Sequence, residues 1–265
     1  MLLRSFESFE KTENGYLIHG DAADVKLIFM TDDIIRIRVH FDKGTPMEEE
    51  SYTLVTTAWE DRMDTLLKDE RTRITALDVP CAEDDKALTF ETAHLTLKLF
   101  KKPFHFELFD KSGKLIYQDL RERAFEKDQI GRLSHFSKVD REYDHFYGFG
   151  EKTGHLDKKG RRLRMSPKDA IGHDPETGDP MYKHIPFYIR VNEKDRRPIG
   201  LFYHNSYDCV FDLGEELSGY WERYCYYQTD GGDIDLFRPQ RSAHQTVSGL
   251  LRFHHVLRRA GKELR

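Results

Sequence analysis

The residues best placed to do chemistry lie between Phe146 and Ile189. There carboxylates, lysines, histidines and glycines crowd a segment flanked by two β-like runs. It is too long and polar for an ordinary hairpin connection, and long ordered loops usually carry function. Asp174, Glu176 and Asp179 raise the question of calcium, but they lack the D-x-D-x-D-G order of a calcium loop and read as solvated turn residues. Gly148-x-Gly150 with Gly154 is not GxGxxG and no helical pattern follows, so tight turns displace a nucleotide cradle. The 13 histidines include no HExxH and no His-x-His, so they read as structural rather than metal-bound. Trp221 with Tyr220, Tyr224, Tyr226 and Tyr227 makes an aromatic-rich strand, read as core and interface packing ahead of a sugar platform. No metal and no cofactor is expected.

The elements that must position these residues are short β-like runs. Tyr16–His19 follows the turn pair Asn14-Gly15. Val25–Met30 precedes Ile34–Phe41, where Ile35, Ile37, Val39 and Phe41 alternate with polar residues. Thr89–Leu99 reads as a further alternating run, and Phe104–Phe109 and Lys114–Tyr117 flank a hairpin turn at Asp110–Gly113. Phe187–Val191, Ile199–Tyr203, Cys209–Phe211 and Tyr220–Tyr227 continue the series. Turn signals every 8–12 residues and no βαβ alternation predict an all-β sandwich. Glu48–Lys86 is weakly patterned, an irregular connection with one short strand at Arg73–Leu77.

The tail, 238–265, changes character: six Arg and one Lys stand against one acid, Glu263. Leu250, Leu251, Phe253, His254, Val256 and Leu257 could line one face of a short C-terminal helix. The net charge of −5, with both signs interspersed, suggests neither a nucleic-acid nor a membrane partner. No run of 18 apolar residues exists, and the N-terminus has no apolar leader pattern. Cys81, Cys209 and Cys225 form no CxxC, which fits buried free thiols and a cytoplasmic setting.

Several blocks together resemble the N-terminal domain of glycoside hydrolase family 31, the α-glucosidase and α-xylosidase family. They are Tyr147–Lys152 (YGFGEK), Arg162–Met165, Asp169-Ala170, Asp174–Pro180 and Tyr182–Phe187 (YKHIPF). Ile34–Val39 upstream and Gly231–Leu236 downstream match strands of the same domain, so the likeness spans about residues 10–237. It implies a galactose-mutarotase-like β-sandwich (supersandwich) over 1–237 with a long loop at 153–182, then an atypical basic tail at 238–265. It also implies a (β/α)8 barrel that bears both catalytic carboxylates in the family. A barrel needs about 250 residues, and none is found here, so no residue of this chain is assigned a catalytic role. Within the loop, Asp169 aligns with a carboxylate that contacts sugar hydroxyls in the leaving-group subsite; Pro167-Lys168 stands where the family often has an Asn two residues before it. Tyr182 and His184 are expected to anchor the loop base. Without its barrel, the loop around Asp169 is expected to be mobile.

The function implied is that of a non-catalytic domain of a retaining α-glycosidase, shaping the substrate entrance for an α-linked oligosaccharide and inactive by itself. A stand-alone carbohydrate-binding module is the alternative, and an aldose 1-epimerase a weaker one, since no mutarotase motif supplies the His acid and Glu base. An apolar face left open for the barrel would also permit a homo-oligomer.

Overall fold

The computed structural model describes residues 1–67, 71–194, 196–216 and 223–239. Alternation builds nearly everything in it. The chain opens with the antiparallel strands β1 (Phe6–Thr12), β2 (Gly15–Gly20), β3 (Asp24–Thr31) and β4 (Ile34–His40). Ile35, Ile37 and Val39 of β4 are buried on one face, as are Val25, Leu27 and Phe29 of β3. Burying each such side chain stabilises the fold by about 1.5–3 kcal/mol. The intervening Arg36 points to the other face and is also buried, 1% exposed.

The weakly patterned stretch contributes only β5 (Thr56–Thr57), a 3-10 turn at Arg62–Thr65 capped by Asp61, β6 (Thr72–Arg73) and β7 (Cys81–Glu83). The strand expected at Arg73–Leu77 is therefore reduced to β6, which pairs in parallel with β5. The expected single run Thr89–Leu99 is two strands, β8 (Ala87–Glu91) and β9 (Leu95–Lys101), folded into a hairpin. Thr92 makes the turn: its hydroxyl accepts the Leu95 N–H at 3.0 Å and donates to the Asp32 carbonyl at 2.8 Å. A hydroxyl that offers the backbone such a local partner competes with strand pairing.

The remaining strands are β10 (Phe104–Asp110), β11 (Leu115–Gln118), β12 (Phe125–Lys127), β13 (Leu133–Lys138), β14 (Asp144–Gly148) and β15 (Arg162–Met165). Then come β16 (Phe187–Asn192), β17 (Arg197–Tyr203), β18 (Cys209–Asp212), β19 (Tyr224–Thr229) and β20 (Ile234–Pro239). One eight-stranded sheet has the order β1-β2-β3-β4-β20-β17-β16-β14. Two five-stranded sheets, β11-β10-β9-β8-β7 and β12-β13-β19-β18-β15, complete the sandwich, joined by a bridge between Asp119 and Ser137. The main core draws on all three, including Leu27, Ile37, Leu97, Phe106, Phe125, Tyr203 and Tyr227. A second cluster lies on the outer face of the large sheet, where Leu54, Ala58 and Trp59 cover Ile28, Phe202 and Phe237. This is the all-β, galactose-mutarotase-like architecture expected.

The basic tail was expected to begin at Arg238, but β20 runs through Pro239 and pairs with β4 to its end. Arg238 is fully buried and donates to Asp119 at 2.8 Å. The rest of the expected tail, with its short helix, lies outside the described residues, as do Tyr220 and Trp221. No helix among the described residues is long and apolar enough to cross a membrane.

Candidate functional site

The 153–182 segment is more than a loop: it leaves the eight-stranded sheet after β14, places β15 beside β18 in a five-stranded sheet, and returns to β14 through β16. Its departure is a tight turn. Gly148 and Gly150 have φ of 124° and 65°, and a side chain at Gly148 would meet the Phe187 carbonyl oxygen at 2.8 Å. Only glycine tolerates that combination. Between them Phe149 is buried, stacks on Tyr188 at 5.0 Å, and donates its N–H to the Phe187 oxygen. A Cβ at Gly150 would strike Ile185. The YGFGEK and YKHIPF blocks are thus two halves of one contact.

Beyond this turn the base of the excursion is held by buried charge. Lys152, 1% exposed at its side chain, donates to Asp179 and to the Arg164 carbonyl. Asp179 also accepts the Arg164 N–H. Thr153 donates to the Gly178 carbonyl at 2.6 Å, and Gly154 to that of Pro175 at 2.9 Å. Ser166 and Arg164 both reach Asp208, whose carboxyl is held below its usual range by the Ser166 hydrogen bond first and Arg164 next. Asp174 is a turn cap, accepting the N–H groups of Glu176 and Thr177.

His184 Nε2 lies 2.9 Å from the Asn205 carbonyl oxygen. Burial is the leading cause pushing its pKa down, so the neutral ring is favoured. Asn205 in turn donates to the Gly231 and Asp233 carbonyls, linking the return of the excursion to the approach of β20. Tyr182, placed with His184 as an anchor, is 47% exposed; its neighbour Lys183 is the residue that bridges back, to Glu151 at 2.7 Å. Asp169 sits at the apex, exposed, and its carboxylate has no hydrogen-bond or ion partner among the described residues. From Pro167 to His173 the only backbone bond within the apex is His173 to Ala170. Among the described residues, Asp169 therefore has no bond to the base of the excursion, to Tyr182 or to His184. Of the aromatic strand, Tyr224 and Tyr227 are buried at 2% and 1% exposure, in packing rather than on a platform. Lys158 and Asp208 were not singled out in the sequence, and Lys152 only as the end of the YGFGEK block; lysines in a polar loop carry no mark of burial.

Residues 24–212 match the family model for the glycosyl hydrolase 31 N-terminal galactose mutarotase-like domain. The chain belongs to this family. It is 31% identical over 235 residues to α-glucosidase 2 of Bacillus thermoamyloliquefaciens, covering 88% of this chain and 26% of that protein. An α-glucosidase of Saccharolobus solfataricus is 38% identical over 73 residues, 28% of this chain and 10% of its own length. The chain thus spans about a quarter or less of these relatives. Among solved structures, a GH31 dextranase of Flavobacterium johnsoniae complexed with glucose superposes with a TM-score of 0.76 at 21% identity, over 93% of this chain and 27% of its own. An α-1,4-glucan lyase of Gracilariopsis lemaneiformis gives 0.67 at 16% identity, over 90% and 28%. These likenesses confirm the fold of a family 31 N-terminal domain, with the excursion emerging from one edge of its large sheet.

Proposed function

We propose that this domain shapes the substrate entrance of a retaining α-glycosidase, with Asp169 presented to the sugar hydroxyls of the leaving group. The observation that carries the reading is the contrast within the excursion: a base fixed by the buried Lys152–Asp179 ion pair carries a segment in which the Asp169 carboxylate is exposed and unpaired among the described residues. A carboxylate accepts two hydroxyl hydrogen bonds at once, which suits a sugar. Hydrolysis itself requires two carboxylates placed about 5–5.5 Å apart across the anomeric carbon. The family assigns both to its barrel, so these 265 residues alone are inactive. The free thiols Cys81, Cys209 and Cys225 fit a reducing, cytoplasmic setting.

Grafting residues 1–239 in place of the matching domain of the Bacillus relative tests the reading. The chimera is expected to hydrolyse α-glucosides, and Asp169→Asn within it to raise KM about tenfold with little change in kcat, the signature of lost substrate binding. A chimera indifferent to Asp169 would remove the assignment. Turnover of a nitrophenyl α-glucoside by the 265-residue chain, abolished by substituting one of its own carboxylates, would overturn the non-catalytic role.

A further inference from the structure

Four consecutive carbonyl oxygens, those of residues 152–155, converge on one buried cation. Lys158 is 4% exposed, and its Nζ lies 3.3 Å from the Lys152 oxygen, 3.0 Å from Thr153, 3.5 Å from Gly154 and 2.5 Å from His155. No backbone N–H among the described residues donates to these four oxygens. The Arg161 guanidinium adds a bond to the Thr153 oxygen at 2.7 Å. Among the described residues no carboxylate touches the ammonium: the nearby Asp157 is engaged by His145 and by the N–H groups of Phe146 and Lys159. The turn has no room for a side chain at Gly154, where a Cβ would meet Arg161 at 2.2 Å and the Glu176 oxygen at 2.7 Å.

We propose that the 152–155 turn is a monovalent-cation site whose resident cation is the protein's own Lys158 ammonium, and that this cation positions the excursion. Four carbonyl dipoles pointing at one spot repel one another unless a positive charge lies among them, the arrangement that selects monovalent ions in carbonyl-lined filters. Three of the four oxygens, at 3.0–3.5 Å, lie too far out for calcium or magnesium, which draw oxygens to about 2.0–2.6 Å, and suit ammonium or potassium. The same turn supplies Thr153 and Gly154, which hold Gly178 and Pro175. Loss of the charge therefore releases both arms that carry Asp169. Only the relevance of those arms to substrate rests on the proposed function.

Lys158→Ala, which vacates the ammonium position, tests the proposal by amide hydrogen exchange at constant ionic strength in lithium, potassium or ammonium chloride. In lithium, protection at 152–165 and 174–180 is expected to fall about tenfold or more while the core strands keep theirs. Potassium and ammonium are expected to restore most of it. Lys158→Met, whose stem still fills the approach, is expected to lose the same protection without rescue. Full protection of Lys158→Ala in lithium, or equal rescue by all three salts, would overturn the proposal. Should the variants fail to fold, the natural chain still decides: the Lys158 ammonium is expected to give a slowly exchanging 1H–15N signal at neutral pH, unlike exposed Lys168. A Lys158 signal exchanging as fast as that of Lys168 would sink the idea. None of these readouts involves sugar, so their failure would leave the domain's proposed role untouched.

Discussion

β20 carries a buried charge on each face, and the two are neutralised in different ways. On the outer face Asp235 receives two bonds from Arg36, both 2.8 Å, and a third contact from His204 Nδ1 at 3.1 Å. Arg36 continues to Glu49 at 2.7 Å and lies 4.0 Å over the Trp59 ring. His204 Nε2 meets the Ser51 hydroxyl at 2.8 Å. This cluster thus fastens the irregular 48–79 segment onto the sheet. On the inner face Arg238 has one carboxylate among the described residues, Asp119, which also meets His135 at 3.0 Å and accepts the Phe106 N–H at 2.9 Å. Arg238 Nε and Nη1 are buried without a hydrogen-bond partner among the described residues, although the guanidinium lies 4.2 Å from the Tyr117 ring centre. The outer cluster distributes its charge toward a partly exposed Glu49; the inner one is sealed. A sealed pair adds little net stability, yet it is costly to break because the survivor keeps its desolvation penalty.

The largest expected effect follows from that asymmetry. Arg238→Met leaves Asp119 charged at zero exposure, and urea unfolding is expected to show a loss of about 3–5 kcal/mol. Replacing both partners with apolar residues, Arg238→Met with Asp119→Leu, is expected to recover most of it. A loss under 1 kcal/mol in the single variant would show that the inner pair is not sealed. Arg36→Met is expected to cost less, about 1–3 kcal/mol, because Glu49, one of the two carboxylates it leaves, reaches water, whereas Asp119 is at zero exposure. A larger loss than at Arg238 would reverse the comparison.

Acid separates the groups in pH rather than in space. Burial leads the causes that lower the pKa of His135, opposed by Asp119. An imidazole with a depressed native pKa stabilises the fold above its unfolded value, about 6.5, and that contribution is lost as pH falls below it. His184 shifts the same way and acts in the same window. For both Asp119 and Asp235 burial is the largest influence and acts upward, yet the facing arginines and histidines outweigh it, so each carboxyl ends below its usual range. Their contribution is present above the unfolded value near 3.9 and disappears as pH drops below it. Urea midpoints from pH 8 to 3 are therefore expected to fall in two stages, and His135→Gln to shrink only the upper one. An upper stage unchanged by that substitution would assign it elsewhere.

Much of this was legible in the sequence, but not the ionic part. Ile35, Ile37 and Val39 mark β4 by alternation, and the same alternation makes Arg36 look solvated. What buries Arg36 is Trp59 and Glu49, from a stretch with no pattern to read. Arg238 looked like the first residue of a basic tail because its partner stands 119 residues earlier, and pairwise charge matching at that range leaves no local trace. The glycines of YGFGEK signalled tight turns, and the structure supplies the close backbone approach that requires them. Asp169 was singled out through family resemblance alone; nothing in its spacing distinguished it from a turn residue.

Asp169 is also the carboxylate against which the two clusters on β20 can be calibrated. It is exposed and unpaired among the described residues, so its carboxylate meets no buried donor. Asp169→Asn is therefore expected to leave urea stability at neutral pH within about 0.5 kcal/mol, as for surface positions remote from any cap, pair or core contact. Asp119→Asn, the same chemical change inside the sandwich, removes the charge opposite Arg238 and is expected to cost several times more. Hydrogen exchange adds a second axis: the apex at 167–173 is expected to exchange in the native state far faster than β15 or β16, whether or not Asp169 is present, because its backbone bonds are so few. A measurable stability loss in Asp169→Asn would mean that the carboxylate already has a partner within the domain. It would then not be free to meet a sugar, and the smallest effect in the series would become the one that revises the function.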